Sequence, residues 1–175
     1  MGLVVTIPQN VITYTENQKQ KWINGEREDC PEGYCKNLPG SYGFGEYLVG
    51  QHFAAQGYNW IHHDFNIFGG NKPGKYPKAE EIFIEYFGSD RYETLRYFHR
   101  NFKPLEEPDL LIYKPDLSEI RFAESKRADT KDKMRPAQIK GLAIISVLLN
   151  CKAEIFWVVK EGDLVYPDPI QISFP

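Results

Sequence analysis

The sequence predicts an α/β fold: a central mixed sheet flanked by helices, with an inserted helical segment. Three observations carry that expectation. Two apolar runs, Leu110-Leu111-Ile112-Tyr113 and Ile120-Arg121-Phe122-Ala123, flank the turn-forming Lys114-Pro115-Asp116-Leu117-Ser118 and read as an antiparallel pair of strands. Residues 132–149 read as a helix, with Pro136 tolerable in its first turn and Asn150 as its stop. Ala153-Glu154-Ile155-Phe156-Trp157-Val158-Val159 is nearly all apolar, as in a strand covered on both faces. A chain of 175 residues with 42% hydrophobic content supports one domain over residues 1–175 and argues against disorder.

In chain order, residues 1–43 form an N-terminal extension: a short strand at 4–7, a polar helix over 15–22 and a turn-rich segment from 24 to 43. Residues 44–68 supply the first core helix and strand. Gly45 to Tyr58 carries a helical pattern that Gly57 ends, and Trp60-Ile61-His62-His63 follows as a strand. Residues 69–103 are a loop and a helical insertion. The loop, Gly69 to Pro77, lacks the strand-to-helix Gly-Lys-Ser/Thr ending of a phosphate-binding loop. From Lys78 to Phe102 the insertion interleaves Phe83, Tyr86, Phe87, Tyr92, Tyr97, Phe98 and Phe102 with Arg91, Arg96, His99 and Arg100. Such a mixture can stack on unpaired bases. Its helical spacing and the acids Glu80, Glu81, Glu85 and Glu93 favour packing onto its own domain instead. Residues 104–175 hold the strand pair, the long helix and the C-terminal strands.

The chemistry gathers in that last part. Alternation puts Ile120, Phe122, Glu124 and Lys126 on one face of their strand, so an apolar face ends in an acid and a base. Ionised groups are costly away from water unless paired or bound to a metal. Pro108-Asp109, a gap of fourteen residues and then Glu124-Ser125-Lys126 resembles the signature of the PD-(D/E)XK nuclease superfamily, in the branch of the resolvases and the virus-type replication-repair nucleases. The order strand, strand, helix, strand is similar to that family's restriction-endonuclease-like core. The resemblance implies hydrolysis of nucleic-acid phosphodiesters, DNA favoured, with Mg²⁺ or Mn²⁺. It implies Asp109 and Glu124 as metal ligands, joined by the Ser125 carbonyl and by Glu46 directly or through water. Lys126 is then expected to orient the attacking water, and Gln138 to contact the site. Gln138 heads the stripe Gln138, Leu142, Ile145, Leu149, the face expected to pack on the sheet.

Other features set limits. The formal net charge of -3 counts against a nonspecific nucleic-acid binder. Locally, Lys126, Arg127, Lys131, Lys133, Arg135 and Lys140 face only Asp129 and Asp132. They make a basic rim in which Arg127, Lys131, Lys133, Arg135 and Lys140 are candidate phosphate contacts. Cys30, Cys35 and Cys151 are too few for the usual iron-sulfur ligand set, and reduced thiols are expected. No histidine has a defensible ligand spacing, and His62 and His63 are expected on opposite faces of their strand. No nucleophile elbow is present. No apolar run reaches membrane-spanning length, so a cytoplasmic protein without a membrane partner is expected. Cuts on two opposed strands would favour a symmetric homodimer. The alternative to a nuclease is a catalytically silent nuclease-fold domain that binds nucleic acid or a protein.

Overall fold

A computed structural model describes residues 2–30, 33–130 and 132–174. The chain opens with β1 (Leu3–Ile7), β2 (Gln9–Tyr14), α1 (Glu16–Ile23), the single turn α2 (Gly33–Lys36), α3 (Phe44–Ala54) and β3 (Asn59–His62). It continues with α4 (Pro77–Phe87), α5 (Ser89–Asn101), β4 (Leu110–Tyr113), β5 (Ile120–Arg127), α6 (Pro136–Leu149), β6 (Lys152–Lys160) and β7 (Ile170–Phe174).

Local chemistry explains the boundaries. Thr15 caps α1 through a reciprocal pair: Gln18 N donates to Thr15 Oγ1 at 3.2 Å and Thr15 N donates to Gln18 Oε1 at 2.7 Å. The helical stretch expected over 78–102 is two helices, broken at Gly88, whose φ of 87° lies where side-chain-bearing residues are strained. The helix expected from 132 starts at Pro136. Arg135 before it is extended at ψ 145°, the conformation that a following proline imposes. Asn150 ends α6 in the left-handed region.

A five-stranded mixed sheet forms the centre, in the order β2-β6-β5-β4-β3. β2, β6 and β5 run parallel, whereas β4 is antiparallel to both β5 and β3. A separate antiparallel pair, β1 with β7, lies beside α6. Helices cover both faces of the sheet. On one, Ile120 and Phe122 pack with Leu142 and Ile145 of α6 and with Phe83, Tyr92 and Leu95 of the insertion. On the other, Ala123 and Phe156 pack with Val49 and Phe53 of α3 and with Trp22 of α1. β5 is therefore buried on both sides from Ile120 to Lys126. Alternation along it separates two covered faces, not core from water, and Arg121 on the second face is buried as well, 2.8 Å from Glu154.

Two glycines let the helices close on the sheet. A Cβ at Gly45 would come within 2.6 Å of Ser125 Oγ, so only glycine allows the start of α3 to lie on β5. A Cβ at Gly141 would collide with the Glu106 carbonyl, which fixes the chain before β4 against α6. Glu106 N also donates to the Ala137 carbonyl at 3.2 Å. Among the described residues no helix is long and apolar enough to cross a membrane.

Candidate active site at the end of the central strands

The β4–β5 register pairs Leu110 with Ala123, which puts Asp109 and Glu124 beside one another at the same end of the sheet. Ser125 N donates to Asp109 Oδ2 at 2.8 Å and so fixes that carboxyl. Glu124 is fully buried, at 0% exposure. Its Oε1 accepts from Lys126 Nζ at 2.7 Å and from Gln138 Nε2. Its Oε2 is buried and has no hydrogen-bond partner among the described residues. A buried carboxylate oxygen without an N–H donor loses its hydration, a cost that the neighbouring Asp109 carboxyl offsets in part by hydrogen bonding to Glu124.

Gln138 is held at both ends of its amide. While Nε2 donates to Glu124, Oε1 accepts from Arg135 N at 3.1 Å, which caps the first turn of α6. Pro136 at the helix start and Gln138 in its first turn therefore deliver the side chain to the sheet end. Leu142, Ile145 and Leu149, the other members of the stripe, are buried below it.

The electrostatics follow from crowding. Burial pushes the Asp109 carboxyl well above its usual range, and the negative charges of Glu124 and Glu46 push it further. Burial likewise raises Glu124 and Glu46. For Lys126, burial works against the charge, but the Glu124 and Asp109 carboxylates more than offset it and hold the ammonium above its ordinary range. A second acid, Asp132, lies 3.6 Å from Lys126 Nζ. Glu46, on the first turn of α3, has Oε1 3.9 Å from His62 Nε2. Burial lowers His62 to about 4, so that contact is with a neutral imidazole.

Sequence reasoning missed three neighbours. A cavity of about 180 Å³ opens beside Asp109 and is lined also by His62, His63 and Glu107. β3 ends at His62, and His63 leaves the strand at φ 69°, so strand alternation does not keep the two rings apart. Both line the same cavity, which corrects the expectation of opposite placement. Burial pushes Glu107 up to about 7, and its Oε1 accepts from Phe68 N at 2.9 Å. The signal for Glu107 was legible, since a second acid stands directly before Pro108-Asp109.

The basic rim is less free than its sequence suggests. Arg127 donates to the Ser41 carbonyl at 2.8 Å and pairs with Asp129 at 2.7 Å, which ties β5 to the chain entering α3. Asp129 also binds Lys19 of α1 at 2.7 Å. Arg135 reaches Glu106 at 2.6 Å but keeps its side chain mostly exposed. Lys133 and Lys140 are exposed and form no ion pair among the described residues. Lys131 lies outside the described residues.

The structure thus brings Asp109, Glu124, Ser125, Lys126, Gln138 and Glu46 to one end of the sheet and turns Arg127 inward. Among the described residues no three His, Cys, Asp or Glu side chains converge as they stand into a metal-holding group. A scan against family models and searches of the curated proteins and of the solved structures return no match for this chain.

Proposed function

We propose that this chain is a metal-dependent nuclease that hydrolyses phosphodiester bonds, DNA first, on a restriction-endonuclease-like core. The observation that carries the reading is Glu124: a fully buried carboxylate that keeps one oxygen without a partner, beside Asp109 and under an ammonium. The donor set suits Mg²⁺ or Mn²⁺, since such hard cations take oxygen ligands and need only one or two protein carboxylates. Asp109 and Glu124 would hold the ion with the Ser125 carbonyl, and Glu46 would join directly or through water. When bound, the ion supplies polarisation of the phosphoryl oxygen, a lowered pKa for the attacking water and compensation of leaving-group charge.

The protein's own residues do the rest. Ser125 N keeps the Asp109 carboxyl aimed. Gln138 and Lys126 both grip Glu124 Oε1, which leaves the buried Oε2 as the oxygen that no N–H among the described residues holds. Lys126 stays charged and stands where its ammonium would orient the attacking water and stabilise developing negative charge on phosphate. Lys131, Lys133, Arg135 and Lys140 would contact backbone phosphates, with the N-terminal dipole of α6 adding to them. The order β4, β5, α6, β6, with β5 and β6 parallel, supports the core assignment. We assign its action to the cytoplasm, as a homodimer where both strands of a duplex are cut.

Purified protein incubated with labelled linear, circular, single-stranded and branched DNA tests this directly. Products are expected with Mg²⁺ or Mn²⁺, none with EDTA, and none from Asp109→Ala or Glu124→Ala. Wild-type turnover in either variant would overturn the assignment. Binding without cleavage under every metal condition would give the chain to the silent, nucleic-acid-binding alternative.

A further inference from the structure

A second surface begins four residues before Asp109. α5 and α6 leave between them a groove of about 550 Å³, walled by Phe98, Phe102, Leu105 and Ile144 and edged by Lys103 and Lys140. Its size is that of a small-molecule site. Phe83, Tyr92 and Leu95, earlier in the insertion, are buried, as the packing reading expects. The end of α5 behaves otherwise: Phe102 is 54% exposed and Tyr97 55%. Phe98 and Phe102 stand side by side, ring centroids 5.1 Å apart and planes tilted by 31°. At the groove Phe102 is left open to solvent and Phe98 beside it is half-buried, so the pair offers a flat face that the core does not use.

Charge selects the occupant. In a chain of net charge -3, the charged residues lining this groove are two lysines, and no acid lines it. Neither Lys103 nor Lys140 has an ion-pair partner among the described residues. The acids of α5, Asp90 and Glu93, lie at its other end. An acidic peptide would use the lysines but not the ring faces. An apolar peptide would use the rings but not the lysines. A single nucleic-acid strand uses both, because every base has a face to stack and every linkage a phosphate to pair.

The groove has no lining residue in common with the candidate active site, but Leu105 on its wall stands four residues before Asp109 in the chain. Extended chain from Leu105 to Asp109 covers no more than about 14 Å. Lys140 lies on a different face of α6 from the buried Gln138, and Gly141 and Ala137 clamp the connecting segment at Glu106. A strand lying in the groove is therefore a few nucleotides from Glu124. We propose that the α5–α6 groove binds an unpaired nucleic-acid strand, a base stacking on Phe98 and Phe102 and its phosphates pairing with Lys103 and Lys140. The assignment builds on the nuclease reading and deepens it: the preferred substrate carries a single-stranded segment next to the scissile bond.

The test uses the full chain with Ca²⁺ in place of the catalytic metal. Its probe is a fluorescein-labelled oligothymidylate of about 12 nucleotides, compared with a blunt duplex. The wild type is expected to prefer the single strand. Phe102→Ala should weaken oligothymidylate binding about tenfold, and Phe102→Trp should restore it, since the indole also stacks. Lys103→Gln combined with Lys140→Gln should lower the slope of log affinity against log salt by about 1.4, two contacts at 0.7 each. Phe102 is exposed, so its removal leaves no cavity in the core. Affinity within twofold of wild type in Phe102→Ala, or equal affinity for the duplex, would overturn the proposal. So would a dimer of free protein that Phe102→Ala dissociates while oligothymidylate binding is unchanged. Binding through Phe102 in a protein that cuts nothing would remove the nuclease reading and leave the groove. Cleavage by a protein whose oligothymidylate binding ignores Phe102 would do the reverse.

Discussion

At Lys126 two effects oppose one another, and their balance decides what the residue can do. Burial disfavours its ammonium, but the neighbouring carboxylates favour it more, so the charge persists in a place where charge is expensive. Lys126→Met keeps the aliphatic stem and deletes the charge. Cleavage should fall by about 100-fold or more, while DNA affinity in Ca²⁺ changes by less than about threefold, because the charge is needed where negative charge develops. Paired single-turnover and binding measurements check this, and a loss of affinity as large as the loss of rate would make Lys126 a docking residue. Asp109, Glu124 and Lys126 were legible because each is an ionisable group at the end of an apolar strand run. His62 and His63 were not, since their placement depends on where β3 ends and on one positive φ. The inward turn of Arg127 depends on Ser41 and Asp129, contacts that span distant parts of the chain or a short helical turn.

Elements with strong local signals were read correctly: the strand pair around Lys114 to Ser118, the apolar β6 and the helix ending at Asn150. β2 and β7 escaped. β2 starts with Gln9 and Asn10 and is an edge strand, so its pattern carries little hydrophobic contrast, and its pairing with β6 is across nearly 150 residues. β7 follows a proline-containing stretch and pairs with β1 from the opposite end of the chain. One tie between elements yields a pH-dependent prediction. Asp129 joins α1 to β5 through Lys19 and Arg127. Burial works against its charge, but those two cations dominate and hold the carboxyl well below its usual range. A depressed folded-state pKa stabilises the fold above the ordinary carboxylate value and is lost as pH falls beneath it. Asp129→Asn should therefore cost about 1–3 kcal/mol at pH near 7, and the gap to wild type should shrink below about pH 4. Urea unfolding at both pH values measures it. A gap that stays constant would mean that the carboxylate charge does no stabilising there.

On the scale of the whole molecule, a sheet covered on both faces leaves its strand ends as the place where polar groups can meet. The α/β class, a mixed sheet flanked by helices, was legible from apolar runs and helical spacing. What periodicity could not supply was the second covering layer: α3 and α1 bury the face that holds Arg121 and Ser125, so parity alone did not distinguish core from solvent. The molecule keeps Asp109, Glu124 and Glu46 at one sheet end although burial disfavours the charge of all three and the charges of Glu124 and Glu46 disfavour that of Asp109 further. A divalent cation there would replace mutual repulsion with attraction and stabilise the native state, by about 2.7 kcal/mol at a hundredfold excess over its dissociation constant. The most direct measurement is a calorimetric titration of the full chain with Mn²⁺, repeated on Asp109→Ala and Glu124→Ala and paired with thermal unfolding of each protein. The wild type should give a saturable heat and a rise in Tm, and either variant should lose both. Mn²⁺ binding of wild-type strength in Asp109→Ala and Glu124→Ala would contradict this.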